Sequence, residues 1–236
     1  TQDIIVPPGK THHAEPGNFV EVKIIAPPTA RTQAVGEITK IIGEPQTPGI
    51  EIDVAIHTYG IPHEFSEETL QEIKQLSKDP DEADIAKRKD LRDKAFVTID
   101  GEDAKDFDDA VYCETKPKGG WLLYVAIADV SHYVKPYTAL DQDAQLRGNS
   151  VYFPGRVVPM LPTILSNHLC SLRPNRDRLV LVCEMSISAK GKLTRYRFHN
   201  AVIHSHARLT YTQVVKMLEK KDKNLRNRYQ HVLSHL

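Results

Sequence analysis

Six acidic residues fall within the ten positions from Asp100 to Asp109, in the run TIDGEDAKDFDDAV, against Lys105 as the one opposing charge. Asp100, Glu102, Asp103, Asp106, Asp108 and Asp109 offer only hard oxygen donors. Phe107, Ala110 and Val111 are interleaved with them, and apolar segments flank the run on both sides, so the cluster is pinned near a core. Carboxylates crowded beside a low-dielectric region repel one another, and protonation or bound cations relieve the strain. Without Cys or His among the donors, the candidate ions are Mg²⁺, Mn²⁺ and Ca²⁺. A calcium EF-hand loop needs D-x-[DN]-x-[DN]-G. Counting from Asp100, the third position is Glu102, the fifth is Ala104 and no Gly follows; counting from Asp103, the third is Lys105. The match fails, which favours Mg²⁺, with Mn²⁺ as the alternative, and phosphate chemistry. The bland reading is a solvated acidic turn.

The elements around this loop carry their own signals. Residues 1–61 read as short strands punctuated by Pro and Gly: Asp3–Val6, Phe19–Ile25, Ala34–Ile42 and Ile50–His57. That spacing predicts a small β-barrel or part of one. Its cations, Lys10, Lys23, Arg31 and Lys40, form no basic stripe. Ser66 can cap a helix over 67–78, with Leu70, Ile73 and Leu76 along one edge. Asp79–Asp93 mixes both charge signs and reads as a solvated connector, so residues 62–93 are expected to join two domains. From residue 94 to 236 strands and helices mix, an α+β pattern. Phe96–Ile99 and Ala110–Cys113 are strands on either side of the acidic loop. Trp121–Ala128 is apolar almost throughout, as in a strand buried on both faces. A helix is expected over 138–147, and strands over 179–187 and 193–203 flank an Ala189–Lys192 turn. Another helix is expected from Thr212 to about Lys221.

Charge separates along the chain although the total is zero. Residues 145–236 hold 16 Lys and Arg against 4 Asp and Glu, and residues 1–144 the reverse imbalance, 15 against 27. Either the basic part meets a polyanion, or the two parts pack on each other. Cys113, Cys170 and Cys183 are odd in number and far apart, which argues against a zinc site or a disulfide framework and for reduced core thiols. No run approaches the ~20 apolar residues of a membrane span. The N-terminus carries no basic-then-apolar signal pattern. A cytoplasmic monomer without membrane contact is expected. The missing initial Met and a final segment that still reads as helix suggest a piece of a longer chain.

The run IDGEDAKDFDDAV closely resembles the active-site signature of the ribonuclease II/R (RNB) family of exoribonucleases. RKDLRD, YVAIADVSHYV, SVYFPGRVVPMLP, LSNHLCSLRP and SHARLTY resemble the family in the same order. The resemblance covers nearly the whole chain. It implies part of a cold-shock (OB-fold) barrel in the first ~60 residues and the first half of a mixed α/β RNB catalytic domain over about 90–236. It further implies processive 3′-to-5′ hydrolysis of RNA, from a single-stranded 3′ end, to nucleoside 5′-monophosphates with two divalent ions, about 4 Å apart in sites of this kind.

Residue by residue, the resemblance assigns Asp100, Asp106, Asp108 and Asp109 to catalysis and metal binding. Asp100 and Asp109 are the expected direct ligands and Asp108 the one that matters most for rate. Glu102 and Asp103 are read as loop solvation. Tyr152, by sequence alone a core aromatic before a proline, matches a tyrosine that stacks on the terminal nucleotide. Tyr211 matches one that contacts RNA near the site. Arg173, Arg176 and Arg178 could contact phosphates or form packed ion pairs. His12, His13, His57 and His63 read as surface or turn residues, and Asp129 as structural. The family's arginine beside the scissile phosphate, a further aromatic and a C-terminal RNA-binding domain have no counterpart among these residues. Two readings therefore stay open besides an active enzyme: RNA binding without cleavage, and a structural cation site.

Overall fold

The computed structural model describes residues 3–77 and 79–230, and the chain divides into two compact units. One comprises the chain up to Glu64 together with Val151–Val158; the other comprises Phe65–Ser150 and the chain from Pro159 onward. Among the described residues no helix is long and apolar enough to cross a membrane.

In the first unit, β1 (Ile4–Ile5) runs parallel to β3 (Ala34–Gly43), and β2 (Phe19–Ala26) pairs antiparallel on the other side of β3. Ile50–Thr58 then forms helix α1 rather than the expected fourth strand. The run IEIDVAIH satisfies either period, because its apolar residues recur both at alternate positions and one helical turn apart. Pro48–Gly49 decides the matter locally: Gly49 takes a left-handed conformation at φ 84°, and its carbonyl accepts from Ile52 N at 3.0 Å. Glu51 and Asp53 sit in the first turn, where the helix dipole favours acids. Ile50 and Ile56 are the buried side of this helix.

The second unit opens with α2 (Glu67–Lys74). Ser66 caps it as expected, its hydroxyl accepting from Thr69 N at 3.2 Å. The helix stops at Lys74, short of the expected 67–78: Gln75 N and Leu76 N donate to Glu72 O and Ile73 O at 3.1 and 3.3 Å, three-residue bonds that tighten and end the last turn, while Lys78 lies outside the described residues. Next come α3 (Glu82–Ile85), β4 (Lys89–Asp90), β5 (Val97–Asp100), β6 (Asp109–Thr115) and β7 (Trp121–Ala128). The short α4 (Val130–Tyr133) and α5 (Ala139–Arg147) follow. Thr138 caps α5 through Asp141 N at 3.3 Å. Glu72 of α2 accepts from Ala139 N and Leu140 N at 2.9 and 3.0 Å, fixing the two helices together.

The chain then supplies the first unit with the hairpin β8 (Val151–Phe153) and β9 (Arg156–Val158), where Arg156 meets Asp53 of α1 at 2.6 Å. Back in the second unit, a π-helical turn (Leu165–Leu169) precedes β10 (Asp177–Ile187), β11 (Leu193–His204), β12 (Ala207–Thr210), α6 (Tyr211–Leu218) and α7 (Lys223–Arg228). The final segment expected to be helical extends into residues 231–236, outside the described residues.

One seven-stranded sheet organises this unit, in the order β12-β5-β6-β7-β10-β11-β4. The pairs β12/β5 and β11/β4 are parallel and the rest antiparallel. The charged stretch 79–93 is thus only partly a connector, since Lys89–Asp90 forms an edge of the sheet. Strand β7 departs from its expected burial on both faces: Tyr124, Ala126 and Ala128 are buried, but Ile127 is 47% exposed. Its register neighbour Leu181 is exposed too, as is Phe198 on β11. An antiparallel sheet requires only one covered face, and here the covered face carries the core. Cys170 is buried there, whereas Cys113 and Cys183 are only partly buried; all three are free. Burial pushes the Cys170 thiol up to about 12.

Phe96 is fully buried at the centre of that core, against the rings of Tyr112 and Tyr124 at 5.8 and 6.3 Å. Phe96→Ala is expected to cost about 3–5 kcal/mol. A urea unfolding midpoint that moves down accordingly checks it.

Candidate active site

The acidic residues occupy the turn between two sheet strands. Asp100 ends β5 and Asp109 begins β6, so the hairpin holds one acid at each end and the other four in the loop between. Phe107 is the loop's buried anchor. Its backbone is fastened on both sides: Phe107 N donates to Ser171 Oγ at 3.1 Å, and Leu172 N donates to Phe107 O at 2.8 Å. Ser171 Oγ also donates to Lys105 O at 3.2 Å, and Ala128 N donates to Asp108 O at 2.9 Å. The π-helical turn delivers Ser171 to this position, closing through Cys170 N to Leu165 O at 2.9 Å. At the loop's start, Arg208 Nη2 donates to the carbonyls of Gly101 and Glu102 at 2.6 and 2.7 Å.

The electrostatics follow from the crowding. Burial raises the Asp100 carboxyl above the usual range, the charges of Asp109 and Asp106 add to the effect, and Thr98 and Arg208 oppose it. Asp108 is open to solvent on one side, yet the protein beneath it withdraws water. That desolvation raises its carboxyl, and Asp106, Asp109 and Asp100 raise it further. Asp100 Oδ2 is buried with no hydrogen-bond partner. A buried, orphaned carboxylate oxygen among like charges is a position that a cation satisfies. The four sequence-assigned aspartates are thus brought within electrostatic reach of one another. Among the described residues, however, no three carboxylates, imidazoles or thiols converge as a ready-made metal cage. Glu102 and Asp103 are exposed, as solvating loop residues would be.

A cavity of about 860 Å³ borders the loop, lined by Glu102, Phe107, His168, Arg173, Arg176, Arg178 and Arg208 among others. Its arginines differ in kind. Arg178 is buried and committed, donating to Ser171 O at 3.1 Å and Asp177 O at 2.8 Å and facing Asp79 at 3.4 Å. Of the two roles left open for it, a phosphate contact or a packed ion pair, Arg178 takes the second. Arg173 lies beside His168 at 3.3 Å, and Arg176 is an exposed cation 4.0 Å from Asp79. Tyr211 begins α6 and is 63% exposed, directly after the capping residue Thr210 and inside the Thr210–Gln213 capping box. Tyr152 is 67% exposed on β8 and belongs to the other compact unit. Asp129 is structural as expected, bound by Arg88 Nη2 at 2.6 Å and Ser131 Oγ at 2.7 Å. Sequence reasoning missed Ser171, Arg208 and Arg88, whose partners lie 41–107 residues away.

Residues 88–236 match the family model described as the RNB domain. The chain belongs to the RNB-domain family. Residues 1–66 of this RNB chain match a cold-shock domain model. It is similar to ribonuclease R of Escherichia coli (strain K12), at 51% identity over 234 residues, covering 99% of this chain and 29% of that protein. Ribonuclease R of Vibrio cholerae is 52% identical, with 99% of this chain and 28% of the relative covered. The chain therefore spans less than a third of the length of these relatives. Among solved structures, Mycoplasma genitalium RNase R in complex with double-stranded RNA superposes with a TM-score of 0.88 at 35% identity, over 94% of this chain and 40% of that one. Yeast Ssd1, a pseudonuclease, shares the fold at a TM-score of 0.67 and 17% identity, over 84% of this chain and 25% of its own.

Proposed function

We propose that this chain carries the acidic loop of a 3′-to-5′ exoribonuclease that processively hydrolyses single-stranded RNA ends to nucleoside 5′-monophosphates. The observation that carries the reading is the buried, unpartnered Asp100 Oδ2 within a group of carboxylates that raise one another's proton affinity. All the donors are hard oxygens, which fits Mg²⁺, or Mn²⁺, better than a softer ion. Asp100 and Asp109, at the two strand ends, would be direct ligands, with Asp106 and Asp108 completing the set. Bound there, two divalent ions would supply positive charge for an attacking water and a departing 3′ oxygen.

The chain's own groups do the rest. The Phe107 anchor and the Ser171 clamp hold Asp108 at the loop's end against the sheet. Tyr152 stacks on a terminal base, which suits an enzyme without sequence preference, and Tyr211 contacts the RNA. Arg173 and Arg176 attract backbone phosphates. The chain acts as a monomer in the cytoplasm.

A second reading is that the chain binds RNA without cutting it, its acids retained but unused. Digestion of 5′-labelled poly(A) with Mg²⁺ separates the two. Stepwise shortening that disappears in Asp108→Asn supports hydrolysis, whereas binding without shortening supports the second reading.

A further inference from the structure

We propose that Arg208 is a positioning residue for the acidic loop, fastening its first half so that the carboxylates are held at the spacing a divalent cation needs. The proposal rests on the reading of that loop as a cation site.

The loop needs such a fastener. Its second half is clamped by Ser171, Leu172 and Ala128, all through backbone groups between Lys105 and Asp108. Its first half has little of its own. A side chain at Gly101 would meet nothing within 4 Å, Glu102 and Asp103 are exposed, and the local turn is a single bond from Ala104 N to Gly101 O at 3.3 Å. Like charges at six of ten positions push such a segment open.

Arg208 opposes that in three ways at once. One nitrogen, Nη2, donates to two successive carbonyls, those of Gly101 and Glu102. The guanidinium also lies over the Phe107 ring, 5.6 Å from its centroid, so one side chain touches both ends of the loop. Its positive charge acts on Asp100 as well. The arginine is itself held rigidly. It sits on β12 opposite Thr98 of β5, between Ala207 and Leu209, both buried in the small core with Val97 and Met217. Its Nε is buried without a hydrogen-bond partner, so the contacts through Nη2 and the ring face are what hold the guanidinium in place. A lysine would keep the charge but lose the planar guanidinium.

The test compares the unaltered chain with Arg208→Ala and Arg208→Lys. Hydrogen exchange of the 101–107 amides reports the loop, and electron paramagnetic resonance titration of Mn²⁺ reports the cation site. Exchange over β10 and β11 is the control for the fold. In Arg208→Ala, loop exchange should accelerate while β10 and β11 stay protected. Mn²⁺ should bind about 10- to 100-fold more weakly, the usual cost of losing a group that orients a ligand, and Arg208→Lys should recover part of it. Loop exchange and Mn²⁺ affinity equal to the unaltered chain would overturn the proposal, and so would equal acceleration in β10 and β11. If the unaltered chain binds no Mn²⁺, the cation-site reading fails. The exchange measurement then still decides whether Arg208 fastens the loop.

Discussion

Asp108→Asn should lower RNA hydrolysis by about 10²–10³-fold, the scale of losing one group that stabilises developing charge in a transition state. The same substitution should make the protein more stable in the presence of a chelator. Burial and three neighbouring aspartates raise the Asp108 carboxyl above its usual value. A carboxyl so raised favours the folded state at pH below its unfolded value, and that contribution is lost as pH rises through the folded value. At neutral pH the wild-type chain therefore folds against the charge of Asp108, and a neutral amide of the same shape removes that opposition. Because Asp108 is open to solvent on one side, the gain is modest, a melting temperature higher by on the order of a few degrees. Saturating Mg²⁺ should shrink or reverse the difference, since the cation relieves the same repulsion in the wild type. Thermal melts with and without chelator, beside the poly(A) digestion, measure both halves of this trade.

Arg88→Ala should destabilise the second unit about as much as Phe96→Ala, but by stranding a charge instead of opening a cavity. Arg88 Nη2 and Asp129 Oδ2 lie 2.6 Å apart, with side chains only 9% and 10% exposed. Burial opposes the charge of Asp129, yet Ser131 and Arg88 outweigh it and hold the carboxyl below its usual range. Removing the arginine leaves a buried, uncompensated carboxylate, at a cost of about 3–5 kcal/mol. That corresponds to a melting temperature lower by about 6–20 °C for a unit of this size. The signature is its pH dependence. The ion pair contributes stability above the ordinary carboxylate range and loses it as pH falls through the lowered value, so wild type and Arg88→Ala should converge in acid. The double substitution Arg88→Met with Asp129→Leu should be less damaging than Arg88→Ala alone, because no charge is left stranded. Melting curves across pH check each of these outcomes.

Parts of this architecture are written locally and parts are not. The acidic turn is legible because apolar residues interrupt its charges, which ties it to a core. The cap at Ser66 and the turn before β11 are legible because one side chain or a short run of residues determines each. Helix α1 was hidden by a run whose apolar residues fit two periods, and Gly49 resolves it only through its backbone conformation. The open face of β7 was hidden because apolar composition does not say which face finds a partner. What holds the candidate site is the least legible of all. Ser171 reaches the loop from 64 residues away, and Arg208 from 107 residues away along a strand whose parallel pairing with β5 leaves no local trace.

Hydrolysis from the 3′ end by the acidic loop is tested most directly with poly(A) labelled in its last nucleotide. In Mg²⁺ the label should leave first, as nucleoside 5′-monophosphate, and should stay in the polymer with Asp108→Asn. Label released within oligonucleotides or as a nucleoside 3′-phosphate, or label retained by the unaltered chain, would contradict it.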